Sequence, residues 1–234
     1  MAVLSSLSTL MGRREESWSN LTATVHDYVM PKMLPFGSAL LSNTMYGEGC
    51  NNQNGNSEVG KEGPCGDPTG ETPFAISSAL QDSMLVTDRA ARPGGGGLAR
   101  VFAGVPAAAP PMVFHNLQTE GGFLVSAARA RNTTAASWVH IRSTAPGQST
   151  ITVAPGLPLN FGASCRGGGG GGCDDISFHD DGSVTIGFAA ANDTALLHPQ
   201  KMKDPAAVVA PVASEPEFEN WFGCKEGRAA QHGL

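Results

Sequence analysis

The sequence is poor in charged and aromatic residues and has no excess of positive charge. Charged residues make up 15% of its 234 residues, aromatic residues make up 6%, and the formal net charge is −6. Proteins that bind nucleic acids through the phosphate backbone usually carry a basic stripe, so we expect no nucleic-acid partner. The 30 glycines and 16 prolines predict that loops occupy much of the chain, and a compact enzyme using its whole length is not expected.

Long apolar runs and a secretory signal are also missing. No stretch reaches the ~18 apolar residues that a membrane-spanning helix needs, so we expect no membrane partner. A signal peptide places its basic residues before an unbroken apolar stretch. Here serines interrupt the leucines of residues 1–11, and Arg13 and Arg14 come after them. The first residues are therefore predicted to start an ordinary helix.

The five cysteines lack the CxxC spacing of common zinc sites, and we predict neither a metal nor another cofactor. Cys50 and Cys65 enclose a polar loop, and Cys165 and Cys173 enclose a run of glycines. One interpretation is that a disulfide closes each of these two loops, as is typical of secreted proteins. Unrelated thiols are the other interpretation.

Three sequons for N-glycosylation are present, at Asn20, Asn132 and Asn192. Together with the cysteine pattern, they favour an extracellular location or the secretory pathway.

Residues 1–92 are predicted to be mainly helical. Apolar residues recur at intervals of three or four from Leu4 to Met11, and a polar loop is expected over 47–70. The clearest helix is predicted over 71–88, because Pro73 suits a first turn and apolar residues share one face. That face consists of Phe74, Ile76, Ala79, Leu80, Met84 and Leu85.

Residues 98–198 are predicted to form a β-sandwich, because the apolar period changes from about 3.6 to 2. Seven short strands are expected, over 98–102, 123–127, 138–142, 150–153, 176–178, 183–188 and 194–197. The fold class is therefore α+β, a short helical segment followed by an antiparallel β-sandwich. Residues 199–234, which are rich in proline and alanine, are expected to be a disordered tail.

Motifs that carry chemistry are sparse. The sequence contains no phosphate-binding loop and no HExxH. His179-Asp180-Asp181 offers metal-type ligands, but the following Gly182 favours a hairpin turn. Glu71 is the one catalytic candidate, because a carboxylate at a loop-to-helix junction can activate water for glycoside hydrolysis. The alternative is an acidic residue that the helix dipole favours at a helix N-terminus.

Several stretches resemble glycoside hydrolase family 95, the α-L-fucosidases and their relatives. One block is similar to the end of the catalytic domain in that family. It consists of Glu71-Thr-Pro-Phe-Ala75, 80–86 and 99–106. A second block resembles the start of its C-terminal β-domain. This block consists of Phe114-His-Asn-Leu-Gln-Thr-Glu-Gly-Gly-Phe-Leu-Val-Ser-Ala127 and Trp138-Val-His-Ile-Arg142. Including 43–48, 181–186 and 194–197, the resemblance covers roughly residues 40–198.

The resemblance implies a fold and an activity. The family has an (α/α)₆ catalytic barrel followed by a β-sandwich, and this chain would hold only the last barrel helices and the sandwich. The implied reaction is inverting hydrolysis of terminal fucosides by two carboxyl groups ~6.5–9.5 Å apart. The general acid of the family has no counterpart here. Glu71 lies at approximately the place of the base, whose Phe-Gln-x-Asp-Gly-Asn segment is not present.

We therefore predict a C-terminal portion of a family 95-like hydrolase that is inactive as an isolated chain. Its partners would be a fucosylated or similar glycan, if active, and the missing upstream barrel. This hypothesis also predicts an exposed apolar face on the helices of 1–90. One alternative is a non-catalytic β-sandwich module that binds glycans or a protein partner, and another is a secreted structural protein stapled by disulfides.

Overall fold

The computed structural model describes residues 2–25, 71–88, 97–157, 161–167 and 173–200. These residues form an α+β structure that is mostly sheet, and the predicted fold class is confirmed. The predicted polar loop over 47–70 and nearly all of the predicted tail lie outside the described residues. None of the described helices is long and apolar enough to cross a lipid bilayer.

The described residues contain three helices and ten strands. The helices are α1 (Ala2–Leu10), α2 (Arg14–Ala23) and α3 (Glu71–Met84). The strands are β1 (Leu85–Asp88), β2 (Leu98–Val101), β3 (Met112–Thr119), β4 (Phe123–Arg129), β5 (Ala136–Ser143), β6 (Ser149–Ala154), β7 (Phe161–Arg166), β8 (Cys173–Phe178), β9 (Val184–Phe188) and β10 (Thr194–Pro199).

The strands form two five-stranded sheets. Sheet I has the order β1-β2-β6-β9-β8, and sheet II has the order β3-β4-β5-β10-β7. All neighbours are antiparallel except β2 and β6, which are parallel. Alternate residues of both sheets, such as Ile141 of β5 and Ile186 of β9, enter one fully buried apolar core. This shared core makes the two sheets a β-sandwich.

The two sheets are also joined along both lateral edges. On one side the outer strands are β1 and β3, and the hydroxyl groups of Thr87 and Thr119 are hydrogen-bonded to each other. On the other side the outer strands are β7 and β8, which a disulfide connects. Farther along the same two strands, the rings of Phe161 and Phe178 pack edge to face with centroids 5.5 Å apart.

The predicted helix over 71–88 is too long by four residues. Helix α3 ends at Met84, and Leu85–Asp88 is a strand paired with β2. β-branched Val86 and Thr87 favour an extended backbone, and pairing with β2 buries Leu85 and Val86. The sandwich therefore begins at Leu85 rather than at residue 98, and it extends to Pro199.

The predicted apolar face of this helix is also wrong in part. Ala79 and Ser83 are buried, whereas Phe74 is 73% exposed and Leu80 is exposed. Each of the seven predicted strands overlaps an observed strand, but the pattern missed β1, β3 and β7.

The three helices pack on each other through small hydroxyl side chains. Ser5 and Thr9 of α1 are buried, and both hydroxyl groups reach Ser17 of α2. The Oγ atom of Ser5 donates to the Ser17 carbonyl at 2.8 Å. The leucines of α1 lie on the opposite side and are exposed, so this helix buries its polar face.

The helices meet the sandwich at the loop that follows β2. The backbone N–H of Gly104 donates to the Ser83 carbonyl of α3, and the Nε of Arg14 in α2 donates to the Ala103 carbonyl. A Cβ atom at Gly104 would clash with the hydroxyl of Thr9 and lie 2.8 Å from that of Ser17. Only glycine allows this close approach of α1, α2 and α3.

Candidate functional site

Glu71, the predicted catalytic residue, begins helix α3. Its side chain lies outside the described structure, as does the loop before it. The role of Glu71 as a general base therefore stays a prediction.

One outer strand of each sheet contributes a cysteine to a disulfide. Cys165 of β7 and Cys173 of β8 form a disulfide, with their Cα atoms 5.6 Å apart. The bond joins the outer strand of sheet II to the outer strand of sheet I. Cys50 and Cys65, the other predicted pair, lie outside the described residues.

The three sequon asparagines lie on different local structures. Asn20 lies within helix α2 and is half-buried. Asn132 and Asn192 are exposed in turns, where their φ angles are 59° and 68°. Exposed turns are accessible to glycosylation, and modification of the three asparagines stays a prediction.

The predicted hairpin turn at His179-Asp180-Asp181 is confirmed. The N–H of His179 donates to the Ser183 carbonyl, and the N–H of Gly182 donates to the His179 carbonyl, both at 2.9 Å. The carboxylate of Asp181 accepts a hydrogen bond from the Ser183 hydroxyl. Within the described ranges, no three His, Cys, Asp or Glu side chains are grouped as a metal ion would require.

A concentration of basic side chains lies on the outer face of sheet II. Val139 and Ile141 of β5 point into the core, so the alternating Trp138, His140 and Arg142 point outward. The five strands of sheet II contain no Asp or Glu, and their basic residues are Arg129, Arg142, Arg166, His115, His140 and His198. We call the group of His115, Trp138, His140 and Arg142 the cationic face.

His115 reaches the cationic face by the ordinary alternation of β3. Its neighbour Phe114 points into the core, so His115 points outward, and its ring lies against that of Trp138 with centroids 6.2 Å apart. The register between β3 and β4 shifts just after it, between Phe114 and Leu117, where the N–H of Asn116 donates to the Ser126 hydroxyl.

The basic groups of this face crowd one another. Burial lowers the pKa of His140, and the nearby charges of Arg142 and His115 lower it further. Within the described structure, His115 Nε2 and Arg142 Nε are buried and have no hydrogen-bond partner. The face therefore holds buried polar atoms without hydrogen-bond partners.

No protein-family model matches the chain. No curated protein matches it significantly. The resemblance to glycoside hydrolases therefore rests on the sequence motifs alone.

Arg129 is a second unusual cation, at the end of β4. Its side chain is only 2% exposed, and its Nη2 donates to the carbonyls of Ala107 and Thr133 at 3.1 and 2.7 Å. Burial, and secondly the charge of Arg14, lower the pKa of this guanidinium. Its hydrogen bonds hold two loops together, which is a structural role.

The grouping of His115 with His140 and Arg142 was not predicted from the sequence. Part of the signal was present, because His140 and Arg142 alternate with apolar residues on one face of the strand predicted over 138–142. The missing information was the neighbour relation of β3, β4 and β5, which only the sheet order supplies.

Proposed function

We propose that this chain is the C-terminal portion of a family 95-like glycoside hydrolase. In this proposal the β-sandwich is the non-catalytic C-terminal domain, and α1 and α3 contact the rest of a helical barrel. The observation that carries the proposal is the exposed apolar side of α1. This exposure is what the hypothesis predicts, and the resemblance of roughly residues 40–198 supplies the family.

The apolar side of α1 is continuous along the helix. Val3 is 68% exposed, Leu7 is 49% exposed, and Met11, just after the helix, is 63% exposed; Leu4 and Leu10 lie on the same side. Burying apolar surface is favourable by roughly 25 cal/mol per Å², and clustered apolar surface usually marks a contact. Further helices of a barrel would cover it.

The proposal predicts that the isolated chain does not hydrolyse an aryl α-L-fucoside. Inverting hydrolysis needs an acid and a base on opposite sides of the bond, and the acid of the family has no counterpart in this chain. The purified chain and its Glu71→Gln variant should release the aryl group at the same background rate. Turnover that Glu71→Gln abolishes would contradict the proposed inactivity.

The coding sequence upstream of Met1 tests the proposal independently of activity. We expect it to encode the earlier helices of a barrel, including a carboxylate that serves as the general acid. A reading frame preceded by a stop codon and no coding sequence would count against a partial hydrolase.

The second candidate function is a non-catalytic module that binds glycans or a protein partner. The closed sandwich favours it, because both sheets share one core and the disulfide joins their edges. Trp138 is only 3% exposed, which argues against stacking of a sugar ring on its indole. Glycan-array binding without hydrolysis would favour this candidate, and a blank array together with upstream barrel sequence would favour the first.

A further inference from the structure

The charges of this protein are unevenly distributed between the two sheets. The chain carries a net charge of −6, yet the strands of sheet II contain three arginines, three histidines and no acid. On sheet I, by contrast, Asp88 of β1 forms an ion pair with Arg100 of β2 at 2.8 Å. Positive charge on the cationic face is therefore not neutralised by its own sheet.

The side chains of the cationic face come from two strands, β3 and β5, which lie on either side of β4. His140 of β5 lies directly opposite Ser126 of β4 and Leu196 of β10. Arg142 follows two residues later on the same face, and His115 lies on β3, on the other side of β4. His115, His140 and Arg142 are each partly exposed, although the Nε2 atom of His115 and the Nε atom of Arg142 are themselves buried.

Two polar atoms of this face lack the hydrogen-bond partners that buried polar atoms normally have. His115 Nε2 and Arg142 Nε are buried, and no described group is hydrogen-bonded to either. A buried polar atom without a partner is unfavourable, and the strands of sheet II offer no carboxylate to the guanidinium of Arg142. An oxyanion beside Arg142 would supply both an acceptor and a countercharge.

We propose that the cationic face binds an oxyanion, a sulfate or carboxylate group, which accepts hydrogen bonds from Arg142, His140 and His115. The guanidinium group of Arg142 would bind such an anion through charge-assisted hydrogen bonds, and imidazole N–H groups would add further donors. The anion is free in solution or is an acidic substituent on a sugar, and the two sources share this recognition chemistry. The site depends only on sheet II and not on the hydrolase resemblance.

Thermal unfolding of the full chain tests the site. Sodium sulfate, compared with sodium chloride at equal ionic strength, should raise the melting temperature, because a ligand of the native state stabilises it. Loss of one charge-assisted hydrogen bond in Arg142→Gln should weaken sulfate binding about tenfold or more. Arg131→Gln is the matched control, because it removes the same charge from an exposed turn outside the sheet.

Two outcomes of this experiment would overturn the proposal. One is the absence of any difference between sulfate and chloride in the wild-type chain. The other is an equal effect of Arg142→Gln and Arg131→Gln, because that would reduce the response to charge screening and to the general stabilisation of folded proteins by sulfate.

A measurement on the unmodified chain guards against variants that fold poorly. In an NMR titration, sulfate should raise the pKa of His140, since a bound anion favours the charged imidazolium, and it should shift the ring signals of His115 at constant pH. The ring signals of His179, in the β8–β9 turn, should not move. Histidine signals that are unaffected by sulfate, or that all shift equally, would overturn the site.

Glucuronate, glucose and acetate distinguish the two sources of the oxyanion, which are a free anion and an acidic group on a sugar. Glucuronate and glucose differ at one carboxylate, so the oxyanion site predicts stabilisation by glucuronate and none by glucose. A larger effect of glucuronate than of acetate identifies a sugar-borne group, and equal effects identify a free anion. Equal stabilisation by glucose and glucuronate would contradict recognition of the charge.

Discussion

Gly104 is the residue on which the contact between helices and sandwich depends. We expect Gly104→Ala to lower the free energy of unfolding by ~1–3 kcal/mol, as overpacking does. Its new Cβ would meet the Thr9 and Ser17 hydroxyls and lie 2.9 Å from the Cα of Ser83. Urea denaturation measures the change.

Gly187→Ala is the control for this substitution. The nearest atoms to its Cβ belong to Asp175, at 3.7 Å or more, which is an ordinary contact. An equal loss of stability in the two variants would show that the tight helix contact at Gly104 is not the cause.

His140 should make the stability of the fold depend on pH. Burial, Arg142 and His115 lower its folded-state pKa below the ordinary value of 6.5, so the unfolded chain binds the proton more tightly. Stability therefore falls as the pH drops through about 6.5. The groups that face His140 are His115 from β3, Ser126 from β4, Arg142 on its own strand and Leu196 from β10.

The variants His140→Asn and Arg142→Gln test this assignment. The first removes the titrating group, and the second removes one cause of the lowered pKa, so both should flatten the pH dependence of the unfolding free energy between about pH 5 and 7. An unchanged slope in His140→Asn would assign the pH dependence to other groups.

Helix α1 shows how packing can reverse the face that its sequence pattern marks as apolar. Its leucines recur at helical spacing, yet the structure buries Ser5, Ser8 and Thr9. Small hydroxyl side chains allow α1 to lie close to α2 and to satisfy the buried oxygen atoms by hydrogen bonds. The helix itself was predictable, whereas the face it buries was not.

Two substitutions on opposite sides of α1 test this orientation. Leu7→Gln should change the free energy of unfolding by no more than about 0.5 kcal/mol, as exposed positions usually do. Ser5→Leu should lower it by ~1–3 kcal/mol, because Ser5 is fully buried against Ser17. Chemical denaturation measures the free energy of unfolding of both variants. A larger loss in Leu7→Gln than in Ser5→Leu would contradict the observed packing.

Strand β1 shows a second effect at the scale of an element. Apolar spacing continues from α3 into Leu85, so the local pattern does not mark the end of the helix. The boundary at Met84 is set by β2, whose backbone pairs with Leu85–Asp88 in antiparallel register. Pairing with β2, which follows β1 closely in the sequence, thus makes Leu85–Asp88 a strand rather than a continuation of the helix.

For the whole molecule, the disulfide joins the two halves of the sandwich at one edge. The double variant Cys165→Ser/Cys173→Ser removes this bond and should lower the free energy of unfolding by about 2–3 kcal/mol. The reason is that the disulfide restricts the unfolded chain, by an amount that depends on the length of the loop it closes, and the two cysteines are 8 residues apart in sequence. Thermal or urea unfolding measures the loss. Arg166→Ala, an exposed change next to Cys165, is the control, and equal stability of the double variant and wild type would contradict this contribution.

The sequence by itself determined the α+β class, the order of helices before strands, and seven of the ten observed strands. These features follow from local apolar periodicity and turn residues, such as Asp181-Gly182, which act over a few positions. The sheet order, the parallel pairing of β2 with β6, the buried polar side of α1 and the grouping of His115 with His140 and Arg142 depend on residues distant in sequence. Only the tertiary structure decided them, because long-range strand pairing and packing select among faces and neighbours that the local pattern leaves equivalent.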